Sequence, residues 1–75
     1  MQPYVDQSGK SGILEYDLLA DSILVRFRNG ALYEYPEVRI GRDHLNEMKR
    51  RAAEGRGLAT YISQHSEVRN GFVRR

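Results

Sequence analysis

A chain of 75 residues has room for one domain at most, and a chain this short buries only about 60% of the surface its unfolded form exposes, so its core is small. It contains no cysteine, which excludes disulfides, zinc–thiolate sites and cysteine nucleophiles together. The formal net charge of +2 hides an imbalance: residues 1–37 carry three basic and six acidic side chains, residues 38–75 nine and four. Ten of the twelve cations are arginine, the better residue for forked recognition of phosphate and for stacking on planar groups. A basic C-terminal half points to an anionic partner, against the plainer reading of a solvated surface.

The first ten residues, MQPYVDQSGK, show no hydrophobic period and are expected to form a flexible tail. They also lack the basic segment and apolar run of a secretory signal, and no apolar stretch approaches the roughly 20 residues that span a bilayer. A cytoplasmic protein with no membrane partner is the expectation. Residues 11–16 (SGILEY) suggest a short strand, and 17–22 a connection. Residues 22–28 (SILVRFR) give a strong strand signal, with Ile23, Val25 and Phe27 alternating on one face. Asn29-Gly30 marks a hairpin, residues 31–35 return, and Pro36 stops the strand.

Register decides what Tyr33 and Tyr35 do. A two-residue turn at Asn29-Gly30 places both tyrosines with Leu24 and Arg26, as an aromatic and basic surface of the kind that stacks bases. A three-residue turn, Arg28-Asn29-Gly30, places Tyr33 opposite Val25 and Tyr35 opposite Ile23, on the apolar face. A one-residue slip exchanges every side chain between faces, so the two exclude each other. The first register buries Glu34 opposite Val25, which is costly for an unpaired carboxylate. The second turns Glu34 outward, diagonal to Arg26, at the expense of exposing Leu24 and Leu32. The second is favoured, and the tyrosines are then mainly core.

A helix is expected over residues 43–54, with Asp43 as N-cap, an apolar stripe of Leu45, Met48 and Ala52, and Gly55 as its terminator. A shorter helix over 57–65 would carry Leu58, Tyr61, Ile62 and His65 on one side. Residues 67–75 form a basic tail ending Phe72-Val73-Arg74-Arg75, able to order on the domain.

The series Leu24-x-x-Phe27-x-Asn29-Gly30-x-x-Tyr33-x-Tyr35-Pro36, followed by a helix and a glycine-containing segment, resembles the KTSC domain. That domain takes its name from a C-terminal extension of some lysyl-tRNA synthetases and also occurs as a small stand-alone bacterial or phage protein. The likeness covers roughly residues 11–75. After the helix, Gly57-Leu58-Ala59-Thr60 lacks the family's aromatic–Asn pair. The association with a tRNA synthetase implies RNA binding, by analogy only.

No pattern points to an enzyme, a metal or a cofactor. His44 and His65 show no metal-ligand spacing and read as packed or rim side chains; Ser63, His65 and Ser66 lack an orienting acid. The expected fold is α+β: a three-stranded antiparallel sheet with one main helix and one short helix on one face, spanning 11–66 between the two tails. The expected function is RNA binding driven by charge, through Arg42, Lys49, Arg50, Arg56, Arg69, Arg74 and Arg75. Arg50 and Arg51 also stand four residues from Glu54 and Glu47, so pairing within the helix competes. The alternative is a protein-interaction module, for example a phage-encoded modulator of a host complex, whose exposed edge strand at 11–16 adds to a partner sheet.

Overall fold

The computed structural model describes residues 1–5 and 11–75. Its centre is the hairpin of β3 (Ser22–Phe27) and β4 (Leu32–Pro36), paired Ile23 to Tyr35, Leu24 to Glu34 and Val25 to Tyr33. This is the register of the three-residue turn. Phe27 N donates to Ala31 O, Gly30 N donates to Phe27 O, and Gly30 takes φ +94°, a conformation only glycine adopts without strain. Ile23, Val25 and Tyr35 are thereby buried together.

Ahead of the hairpin, β1 (Gln2–Pro3) pairs with β2 (Ile13–Leu18), and β2 pairs with β3 across a bulge between Ile13 and Glu15. After it come α1 (Glu37–Ile40), α2 (Arg42–Glu54), α3 (Leu58–Gln64), α4 (Ser66–Arg69) and β5 (Val73–Arg74), which pairs with β4. All pairs are antiparallel, in the order β1-β2-β3-β4-β5. The expected three-stranded sheet with two helices is therefore too small, although the α+β class fits. The reason is length. Two-residue strands show no alternation, and helices of four residues, such as α1 and α4, show no stripe.

Of the segment 1–10 expected to be a tail, residues 6–10 lie outside the described residues, while Gln2 and Pro3 pair with Tyr16 and Glu15. Tyr4 is buried beside them; its hydroxyl accepts from Leu58 N at 3.3 Å, and its ring meets Tyr16 edge-on. The strand expected to be a free edge is consequently interior, with β1 outside it.

Helix α2 begins one residue before Asp43: Gly41 is its N-cap, without a side-chain hydrogen bond, and Gly55 closes it in the left-handed region. Leu45, Met48 and Ala52 are buried as the stripe requires. They join Ile13, Ile23, Val25, Tyr35, Leu58, Ile62 and Val68 in one core. Lys49 Nζ donates to Leu19 O and ties α2 to the β2–β3 connection. Among the described residues, no helix is long and apolar enough to cross a membrane.

Candidate nucleic-acid interface

The seven cations expected to contact RNA are spread over α2, the α2–α3 connection, α4 and the end of the chain. On α2 their charge is largely answered locally. Arg42 lies 3.3 Å from Glu37, and Arg50 is clasped between Glu47 and Glu54, the latter at 3.0 Å. Hydrogen bonds from Arg50 and then Arg51 pull the Glu47 carboxyl down to about 2. Lys49 is engaged with backbone carbonyls. Arg56 is exposed in the α2–α3 connection, and Arg69 donates to Ser63 O at 2.9 Å.

Arg74 stands differently. β5 is an edge strand, and pairing sets Arg74 opposite Tyr33. The Arg74 guanidinium lies 5.7 Å from the Tyr33 ring centroid, a cation–π contact, while Phe72 stacks on Tyr33 at 4.1 Å. Arg75 reaches across the other face to Glu34. The Glu34 carboxyl also accepts from Ser22 Oγ at 2.6 Å, and that hydrogen bond is the main cause of its lowered pKa. The Glu34–Arg26 pair that the register allows gives way to these partners, and Arg26 instead meets Glu15 on β2 at 3.0 Å.

The two tyrosines part company. Tyr35 is 2% exposed, and burial raises its hydroxyl pKa well above the ordinary value, helped by Tyr33. Tyr33 is half-buried beside Phe27, with ring centroids 5.4 Å apart. Together with Gly12, Arg28, Asn29 and Ala31 these rings line a cleft at the hairpin tip. Arg28 was absent from the expected contact set. The cleft is invisible in the sequence because Gly12 reaches the hairpin only through the pairing of β2 with β3.

A second cluster links three helices. His44 Nδ1 lies 2.6 Å from Tyr61 Oη, and His44 Nε2 lies 2.9 Å from Glu67 Oε1. With the carboxylate as acceptor, Nε2 donates and Nδ1 accepts the phenol proton. His65 stacks on Tyr61 at 4.0 Å, and the Arg51 guanidinium lies 4.8 Å from the centroid of the same ring. Burial, followed by the charge of Glu47, raises the Tyr61 pKa. The cluster holds α2, α3 and α4 together.

No family model matches the chain, and no curated protein and no solved structure matches it.

Proposed function

We propose that this protein is a small non-catalytic module that binds RNA through its arginines, with the β5 edge as the main contact surface. What supports this is the Arg74 guanidinium, set over Tyr33 on an edge strand, with Arg28 on the cleft that Tyr33 also lines. Arginine beside an aromatic ring suits both phosphates and bases. The cations of α2, already held by carboxylates or backbone carbonyls, take the smaller part. The resemblance to KTSC domains, carried by the Phe27, Asn29-Gly30, Tyr33 and Tyr35 pattern, agrees with this reading.

The test is fluorescence anisotropy with labelled single-stranded RNA, tRNA and duplex DNA at about 50 and 200 mM salt. Micromolar or tighter RNA binding is expected. If four phosphates are neutralised, it should weaken about fiftyfold over that salt range. Converting both Arg74 and Arg75 to alanine should weaken every RNA alike. No binding at the lower salt would overturn the reading.

One observation favours a protein partner instead. The end of β2, the β2–β3 connection and α1, the last two joined by the hydrogen bond from Glu37 N to Asp21 O, expose Leu18, Leu19 and Val38, the last at 93%. Binding to one protein that tolerates salt and is lost in Val38→Asp would support that second reading.

A further inference from the structure

The cleft at the hairpin tip has a volume of about 350 Å³, at the lower end of the roughly 300–1,000 Å³ typical of small-ligand sites. None of its lining residues belongs to a helix, and it opens to solvent. Phe27 and Tyr33 are its flat walls, inclined at 58° to each other. Tyr33 is braced from behind by Phe72, whose ring stacks nearly parallel at 19° and leans in turn on Tyr35. The aromatic wall is thus held by the core before any ligand arrives. Arg28 lines the cleft with its Nε fixed on Ser11 O at 2.9 Å, and among the described residues no carboxylate lines it. Asn29 is also fixed, its Oδ1 accepting from Ala31 N.

We propose that this cleft takes one unpaired base of single-stranded RNA, its face on one of the rings Phe27 and Tyr33 and its edge against the other, with Arg28 and Arg74 reaching the flanking phosphates. The inference rests on the RNA-binding reading and adds to it a place where the base itself matters. Flat apolar walls select a planar ring over an aliphatic group. Guanidiniums beside them select a ring joined to anions. A base inside a duplex is covered on both faces and could not enter.

Gly12 allows a clean test. Gly12 lines the cleft, a Cβ built there meets nothing within 4 Å, and its backbone lies outside the positive-φ region, so Gly12→Leu should fold and sets a bulky side chain at the cleft wall. Binding would be measured to a uridine oligonucleotide of about ten residues and to the same strand made wholly of abasic nucleotides, a length within the range of single-strand sites. The wild type should prefer the strand with bases by about tenfold, the effect of one stacked base. Gly12→Leu should abolish the preference, read as the ratio of the two affinities in the same variant; a preference kept at its wild-type size would overturn the cleft. Equal wild-type binding to both strands would overturn the base cleft while leaving the RNA reading intact. No binding to either would overturn both. An amide-shift titration of the wild type with uridine monophosphate is independent of any variant. Shifts centred on Gly12, Asn29 and Ala31 support the cleft; shifts centred elsewhere, or none at saturating ligand, overturn it.

Discussion

At the scale of single residues, charge is mostly spent on neighbours. Glu47 on α2 accepts from Arg51 at 2.7 Å and from Arg50, and its carboxyl titrates at about 2, below the ordinary 4.5. A carboxyl with a lowered folded pKa contributes stability that is present above the unfolded value and lost as pH falls through the folded one. The contribution of Glu47 is therefore complete above about pH 4.5 and disappears toward pH 2. Glu34, lowered chiefly by the Ser22 hydrogen bond, acts in the same direction. Urea midpoints of the wild type should fall between pH 7 and pH 3, and Glu47→Gln should reduce that fall. An unchanged difference would mean that the α2 pairs carry no net stability, as many exposed pairs do. The same pairing means that the charge of two adjacent arginines, Arg50 and Arg51, is largely answered within α2.

At the scale of elements, β5 depends on one close approach. A Cβ on Gly71 would stand 2.6 Å from Ile40 Cγ2 and 2.7 Å from the carbonyl oxygen of Glu67. The isoleucine methyl can yield, but the carbonyl belongs to the backbone of α4. Gly71→Ala must therefore shift the link between α4 and β5, at a cost of about 1–3 kcal/mol for an overpacked site. The shift should also pull Phe72 from Tyr33. A lower melting temperature, together with loss of the ring-current shifts between Phe72 and Tyr33, is the expected result. Retention of those shifts would show that β5 is held by its pairing with Tyr33 and Glu34 instead. The hairpin itself is the element most legible in the sequence. Asn29-Gly30 locates the turn, and the cost of burying Glu34 selects the register. The cleft was not legible, because alternation describes one strand at a time and the cleft is made by the tips of two strands and a loop.

At the scale of the whole molecule, a core of few side chains leaves little redundancy. Leu58 is fully buried at the start of α3, and its amide donates to the Tyr4 hydroxyl, so it joins the helices to the N-terminal strand. Leu58→Ala should cost about 2–5 kcal/mol by urea denaturation. Stabilities of about 0.05–0.15 kcal/mol per residue would then leave the variant partly or wholly unfolded. Leu19→Ala, at a residue 39% exposed, should stay within about 0.5 kcal/mol of the wild type. The sequence by itself determined the central hairpin, the buried stripe of α2, the glycine that ends that helix and the basic C-terminal half. Each of these is local: a period, a turn dipeptide, a cap or a charge count. Only the tertiary structure decided that two-residue strands close both edges of the sheet, that His44 meets Tyr61 and Glu67, and that Tyr33 faces a cleft while Tyr35 is core. Those outcomes depend on contacts between residues far apart in the chain, such as Tyr4 with Leu58 and Tyr33 with Arg74, which leave no periodic trace in either segment.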